Sequence, residues 1–148
     1  MNELVHTAVF QCYAVSAAVL TLNLVVLAGS TAAARGKAGG VLNAEDKGLN
    51  AKAEVITVEH ETTARWQRAH RNALENIPVY LVLGLILALT QPSATLANAL
   101  FITFTVARLG HSFFYVKGVQ PFRTLCFAIG LLSMVGIAIL GAARTFMG

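Results

Sequence analysis

Charged residues are scarce in this sequence. Asp, Glu, Lys and Arg make up 12% of the 148 residues, whereas hydrophobic residues make up 56%. A soluble domain has roughly a quarter of its residues charged. The composition therefore excludes an ordinary soluble protein and favours one that lies within a membrane.

Cysteine is also rare, with 2 residues. Cys12 and Cys126 both fall within hydrophobic segments, which argues against a disulfide framework and predicts that both are small apolar packing residues. The 4 histidines are scattered, and no Cys/His spacing resembles a metal site, so no bound metal is expected. The sequence has no nucleotide-binding glycine motif and no basic run, so no nucleic-acid partner is expected.

Features of a cleavable signal peptide are missing from the N-terminal segment. The residues before the first apolar run include Glu3 but no Lys or Arg. The run itself is much longer than the roughly 7–15 residues of a signal-peptide core. We expect this run to be a helix of the mature protein.

The hydrophobic residues form four blocks, and a membrane-spanning helix needs about 20 such residues. The predicted spans cover about 8–34, 65–89, 94–116 and 121–146. They indicate an all-α integral-membrane four-helix bundle that forms a single domain over 1–148. The first connection, about 35–64, is long and charged. The connection 90–93 is short, so the second and third helices should be antiparallel neighbours, and Pro121 suits the first turn of the fourth helix.

Basic residues are distributed unequally between the two sides of the predicted bundle. The first and third connections carry, in or beside them, Arg35, Lys37, Lys47, Lys52, Arg65, Lys117 and Arg123. The opposite side has only Arg144 and the N-terminal amine. The positive-inside rule then places the charged loops in the cytoplasm and both termini outside. The short Ala-rich chain suits a bacterial inner membrane, or the endoplasmic reticulum if the source is eukaryotic.

A strip of polar residues opens the second predicted span. Arg65, Arg68, Asn72 and Glu75 recur at helical spacing and share one face, with Arg71 beside them. A charge inside a membrane-spanning helix costs about 2.5–3.5 kcal/mol, so such residues usually have a function. The strip predicts a site for a small, multiply charged anion.

A second set of polar residues should lie at the same depth. Arg108, His111 and Tyr115 are spaced three and four apart near the end of the third span, and Arg123 and Thr124 begin the fourth. With Arg35 at the end of the first span, they predict a polar ring that faces inward or toward a neighbouring subunit.

Each of these residues also has a purely structural interpretation. An arginine near a span end is often an interfacial anchor; this alternative stays open for Arg35 and Arg123 and is favoured for Arg144. Glu75 should pair with an arginine such as Arg68 or Arg108, because an unpaired buried carboxylate is costly. One carboxylate does not account for five arginines, so the surplus positive charge indicates a ligand.

These residues resemble the MAPEG superfamily, the membrane-associated proteins in eicosanoid and glutathione metabolism. The matching blocks are Arg65-x-x-Arg68-Ala69-His70-Arg71-Asn72-x-x-Glu75-Asn76, Asn43-x-Glu45-Asp46, Arg108-x-x-His111-x-x-x-Tyr115 and Pro121-x-Arg123-Thr124. They occur in order and cover essentially the whole chain. The resemblance is strongest to the prostaglandin E synthase and glutathione transferase branches of the superfamily.

The resemblance implies a four-helix bundle that assembles as a homotrimer, with glutathione bound between subunits near the cytoplasmic side. Carried over by position, the glutathione-binding residues are Arg35, Arg71, Asn72, Glu75, His111, Tyr115 and Arg123. Arg68, Arg108 and Asp46 would support the site. Arg123 and Thr124 would be catalytic, the first lowering the pKa of the glutathione thiol by its charge and the second donating a hydrogen bond to the thiolate. Phe127 departs from the tyrosine found in the prostaglandin synthases.

The resulting functional prediction is a glutathione transferase whose thiolate attacks hydrophobic electrophiles that enter from the bilayer, with reduction of lipid hydroperoxides as a further activity. Glutathione-dependent isomerisation of an endoperoxide is the nearest alternative. A non-catalytic lipid-binding scaffold is an alternative of another class, which the complete glutathione motif argues against. A transporter would be expected to show repeats or broken helices, and neither is visible. The sequence leaves open the electrophile, the physiological reaction and the number of sites that work in each trimer.

Overall fold

Four long helices make up most of the computed structural model, which describes residues 2–48 and 52–147. A short helix, α1 (Asn2–Val5), precedes them. The long helices are α2 (Ala8–Lys37), α3 (Glu61–Leu89), α4 (Ala94–Lys117) and α5 (Phe122–Met147). Between α2 and α3 lie strand β1 (Gly40–Val41), a 3-10 helix (Ala44–Gly48) and strand β2 (Glu54–Val55).

Each of the four long helices is long and apolar enough to cross a membrane. The shortest, α4, has 24 residues, and at about 1.5 Å per residue it exceeds the roughly 30 Å of a bilayer's hydrocarbon core. Large apolar side chains such as Val25, Val106 and Leu132 are exposed on the outer faces, where lipid would cover them. The prediction of an all-α integral-membrane bundle is confirmed.

The central helices α3 and α4 each pack against the other three spans. Aromatic side chains fill the middle of the bundle, where the rings of Tyr80 and Phe104 stack with centroids 4.3 Å apart. Tyr13 of α2 packs beside Tyr80 and close to Gly84. A Cβ added at Gly84 would lie 3.0 Å from the Tyr13 ring. The Tyr13 hydroxyl donates to the Leu81 carbonyl at 2.8 Å. This close packing fixes the relative rotation of α2, α3 and α4, and so the faces on which their polar residues lie.

Local sequence accounts for several helix ends, and two of them lie three or four residues from their expected positions. The α2 helix extends three residues past 34, and α3 begins at Glu61, four residues before the expected start, with His60 as its N-cap. Gly118 ends α4 with φ of 72°, a conformation that glycine adopts without strain. Pro121 lies just before α5 rather than inside it, and its carbonyl accepts from Leu125 N at 3.0 Å.

The segment between α2 and α3 is more ordered than a plain charged loop, and its strands were not predicted. The strands β1 and β2 pair in parallel, with Gly40 opposite Glu54. Ile56 N donates to the Val41 carbonyl at 2.9 Å. This pairing turns the chain back toward the end of α2 and brings Glu59 to Arg35.

Two smaller predictions concern residues away from the loop. Cys12 and Cys126 are both free and half-buried, which agrees with packing residues that form no disulfide. Arg144 lies at the far end of the bundle, where its guanidinium is near the Gln91 carbonyl.

Candidate functional site

The junction of α4 and α5 brings four of the predicted residues together. The guanidinium carbon of Arg123 lies 4.7 Å from the centroid of the Tyr115 ring, a distance at which the ring's π face attracts a cation. His111 packs edge-on against Tyr115 with ring centroids 5.5 Å apart. Thr124 follows Arg123 at the start of α5 and is exposed.

His111 anchors the first turn of α5 to α4. Its Nδ1 lies 2.9 Å from the backbone carbonyl of Arg123. A carbonyl only accepts, so Nδ1 carries the proton and, in the neutral ring, Nε2 is an acceptor. The ring is 4% exposed, and Nε2 finds no partner in the described parts of the chain. His111 therefore fixes the backbone position of Arg123.

Gln120 also contacts this group, and the sequence analysis did not identify it. Its amide lies between Arg123 and Thr124. With the amide oxygen toward Arg123, that oxygen accepts from Nη2 at 2.6 Å and from Nε at 3.3 Å, while the amide nitrogen donates to Thr124 Oγ1 at 3.0 Å. The opposite orientation would set the amide NH₂ against the guanidinium N–H groups, donor against donor.

A second group lies between α3 and α4, deeper in the bundle. Arg108 is 1% exposed, and its Nη2 donates to the Asn72 side-chain oxygen at 2.6 Å and to the Asn72 carbonyl at 3.3 Å. Gly130 of α5 makes room for it, since a Cβ there would lie 3.3 Å from Arg108 Cδ. Arg108 thus holds Asn72 in place from inside the bundle.

The outward residues of α3 behave differently. Arg71 and Glu75 are exposed on the single chain, although both lie in a membrane-spanning helix. Glu75 makes no ion pair in the described part of the chain, and Arg68 pairs with Glu61 at 2.9 Å. The predicted pairing of Glu75 with Arg68 or Arg108 is therefore wrong within the described single chain.

Arg35 lies in a third group, at the end of α2. Its Nε donates to Glu59 Oε1 at 2.7 Å, and its Nη2 lies 2.5 Å from the same oxygen. Arg35 and Asp46 line one cavity of about 380 Å³, which brings two predicted residues together. Asp46 accepts a hydrogen bond from Asn43 at 3.2 Å. Within residues 2–48 and 52–147, no hydrogen bond or ion pair joins Arg35 to the groups around Arg108 and Arg123.

The arginines of the site divide by the kind of acceptor that they contact. Arg35 is paired with Glu59, while Arg65 and Arg68 share Glu61. Arg108 and Arg123 instead contact neutral amide and carbonyl oxygens or an aromatic face. No described carboxylate contacts either guanidinium, and the charge of the half-buried Arg123 stays available to an anion.

Comparison with known proteins identifies the family. The model of the MAPEG family matches residues 13–143. The chain belongs to the MAPEG family. The resemblance drawn from the four sequence blocks is thereby confirmed.

Two kinds of MAPEG relative are similar to this chain. Microsomal glutathione S-transferase 1 of Sus scrofa is 34% identical over 136 residues, which cover 88% of this chain and 86% of the relative. The Homo sapiens protein of the same name is 32% identical with the same coverage. Prostaglandin E synthase of Bos taurus is 25% identical over 138 residues, covering 93% of this chain and 90% of the relative.

The described residues offer no competing metal centre. No group of three or more His, Cys, Asp or Glu side chains lies close enough to hold a metal ion in the parts of the chain that the structure describes.

Proposed function

We propose that this protein is a membrane-bound glutathione transferase that activates the glutathione thiol for attack on hydrophobic electrophiles. The observation that carries the proposal is the environment of Arg123. Its guanidinium is held at the start of α5, beside Thr124, by the neutral Gln120 amide and the Tyr115 ring. Membership of the MAPEG family and likeness to proteins named microsomal glutathione S-transferase 1 support it.

The role of Arg123 is electrostatic. A free thiol has a pKa of about 8.5, and only its thiolate is strongly nucleophilic. An unneutralised guanidinium next to the sulfur stabilises the thiolate, so the thiol loses its proton to water near neutral pH. The Thr124 hydroxyl donates a hydrogen bond to the sulfur. The thiolate then forms a C–S bond with the electrophile, whose leaving group departs with the electrons of the broken bond.

Glutathione also has two carboxylates and an ammonium group, and the remaining residues suit these charges. We assign the carboxylates to arginines such as Arg35 and Arg71, which bind them through paired N–H groups. Glu75 would bind the ammonium or orient an arginine. Asn72, His111 and Tyr115 complete the binding residues, and Arg68, Arg108 and Asp46 support them.

We propose a homotrimer with glutathione bound between subunits, and the exposure of α3 supports it. Arg71 and Glu75 are exposed on the single chain, yet charge facing lipid in a spanning helix is costly. A neighbouring subunit would cover these residues and bring its own site residues to them. This arrangement would unite the Arg35 group with the Arg123 group, which no hydrogen bond or ion pair joins among the described residues of one chain.

The remaining features of the proposal concern the membrane. The basic residues of the first and third connections favour the cytoplasmic side for the site and the outer side for both termini. The second substrate would enter laterally from the bilayer. We propose a single domain over 1–148 and a bacterial inner membrane as its location, with the endoplasmic reticulum as the eukaryotic counterpart.

Two further reactions use the same thiolate. Reduction of a lipid hydroperoxide would consume two glutathione molecules for each O–O bond and give an alcohol, water and glutathione disulfide. Isomerisation of an endoperoxide is the second reaction, and the likeness to prostaglandin E synthase supports it. Phe127, whose ring centroid is 5.8 Å from that of His111, has no hydroxyl to offer the sulfur, which makes the isomerase the weaker candidate.

The test is an ultraviolet difference titration of the detergent-purified protein with glutathione at neutral pH. We expect a saturable thiolate band that is absent in Arg123→Ala. Binding of glutathione without a thiolate band would contradict the catalytic role. Absence of glutathione binding would favour the lipid-binding scaffold.

A further inference from the structure

Gln120 lies on the turn before α5, four residues before Thr124 and three before Arg123. Its single amide contacts both residues to which the thiolate chemistry is assigned. The amide oxygen faces the Arg123 guanidinium, and the amide nitrogen faces Thr124 Oγ1. No other side chain in the described part of the chain hydrogen-bonds to both.

The neutrality of this amide matters for Arg123. A carboxylate at the same place would form an ion pair with the guanidinium, as Glu59 does with Arg35 and Glu61 with Arg68. Such a pair would offset the positive charge by which Arg123 stabilises the glutathione thiolate. A neutral oxygen at 2.6 Å positions the guanidinium and leaves its charge unneutralised.

The direction of the second hydrogen bond matters for Thr124. A hydroxyl has one proton to donate and can accept as well. In the amide orientation that places the oxygen toward Arg123, the Gln120 nitrogen donates to Oγ1 at 3.0 Å, so the Thr124 proton is not used on Gln120. The hydroxyl is then free to donate to a sulfur placed beside it.

We propose that Gln120 is a positioning residue that orients Arg123 and Thr124 together for thiolate stabilisation, and that its neutral amide is required for this. The inference rests on the proposed glutathione-activating function. It adds to it a residue outside the four matched sequence blocks. Gln120 acts through Arg123 and Thr124 and is assigned no contact with the sulfur.

The decisive variant is Gln120→Glu, which keeps the shape and replaces the amide by a carboxylate. A carboxylate has no proton to donate at neutral pH, so it accepts from Arg123 and also draws the Thr124 proton away from the sulfur. Both changes disfavour the thiolate. Gln120→Met is the matched neutral variant, because it removes both hydrogen bonds without adding charge.

The experiment follows the thiolate absorbance of bound glutathione against pH at saturating glutathione. In Gln120→Glu we expect the pKa of the bound thiol to rise by about one unit, so that about tenfold less thiolate is present well below that pKa. Gln120→Met should raise it much less. Gln91→Glu adds the same charge at the opposite end of the bundle, near Arg144, and should leave the thiol pKa unchanged.

Three outcomes would overturn the inference. An unchanged thiol pKa in Gln120→Glu would show that the amide does not control the charge of Arg123. An equal rise in Gln120→Met would show that only the shape or the hydrogen bonds matter, and not the neutrality of the amide. A wild-type protein that binds glutathione without a thiolate band would contradict the proposed function itself, and with it this role of Gln120.

Discussion

Arg108 of α4, which is 1% exposed, contacts Asn72 of α3 across the interior of the bundle. Arg108 Nη2 donates to both oxygens of Asn72, at 2.6 Å to the side chain and 3.3 Å to the backbone. Its Nε has no partner in the described part of the chain. A buried cation that depends on one asparagine makes the stability of the bundle sensitive to that asparagine.

Replacing Asn72 by leucine should therefore destabilise the protein. The variant removes the strongest acceptor of a buried guanidinium, which costs about 2–3 kcal/mol. The midpoint of thermal unfolding in detergent would report the loss. Asn76→Ala is the matched control, since Asn76 lies one turn away and donates only to the Asn72 carbonyl.

The double variant Asn72→Leu with Arg108→Met should regain most of the stability, because it removes the buried charge along with its acceptor. If Asn72→Leu alone unfolds at the wild-type temperature, Arg108 must find another acceptor. The supporting role assigned to its contact with Asn72 would then be wrong.

Arg123→Ala should abolish thiolate formation while leaving assembly intact. Arg123 is half-buried at the start of α5, and its guanidinium packs on one ring rather than in the core. We expect at least about a tenfold fall in the thiolate band at neutral pH, since one unit of thiol pKa corresponds to a tenfold change in thiolate. Arg144→Ala, at the other end of the bundle, should leave the band unaltered.

Arg123→Lys would separate charge from geometry. Lysine keeps the positive charge but not the paired N–H groups that contact Gln120, so partial activity is expected. Full thiolate formation in Arg123→Ala would remove this residue from the mechanism.

Glu59→Gln should strengthen glutathione binding through Arg35. Glu59 accepts from the Nε and Nη2 of Arg35 and offsets its charge, whereas a glutamine oxygen can still accept from Arg35 without neutralising it. Loss of the neutralising carboxylate should lower the glutathione dissociation constant about fivefold, or about 1 kcal/mol. Isothermal calorimetry on the detergent-purified protein would measure it.

A double-mutant cycle makes this test specific. If Glu59 acts by offsetting the charge of Arg35, Glu59→Gln should have no further effect in an Arg35→Ala background. Additive effects would mean that Glu59 serves another part of the protein.

Glu75→Gln should weaken glutathione binding or subunit assembly. Glu75 is exposed and makes no ion pair in the described part of the single chain, so its partner should be the ligand or another subunit. We expect about a tenfold rise in the dissociation constant, the loss of one charge-assisted contact, or a smaller particle by light scattering. Glu45→Gln, in the exposed 3-10 helix, is the control. A wild-type dissociation constant together with a normal trimer would refute the role.

Much of the fold could be predicted because its signals are local. Four apolar blocks, each separated by Gly, Pro or charge, predict four spans, and the structure has helices at all four. The N-terminal boundaries of α3 and α5 were less predictable. His60 caps α3 earlier than the apolar pattern suggests, and Pro121 supplies the first carbonyl of α5 from just outside the helix.

The candidate site was predictable by residue type but not by partner. The sequence placed His111, Tyr115 and Arg123 at one level, and the structure brings them into contact. It did not identify Gln120, because a glutamine in a turn is ordinary by composition. The one available signal was its i to i+4 spacing from Thr124.

The sequence by itself determined that this chain spans a membrane four times and carries more arginines at one depth than its carboxylates can neutralise. Hydrophobicity, helix length and charge are properties of sequence segments, so they can be predicted without knowing the tertiary structure. Only the tertiary structure decided which acceptor each arginine contacts. Glu59 reaches Arg35 because β1 and β2 turn the loop back, and Arg108 reaches Asn72 because α4 packs against α3. Long-range contacts of this kind depend on how the helices pack, which no local pattern encodes.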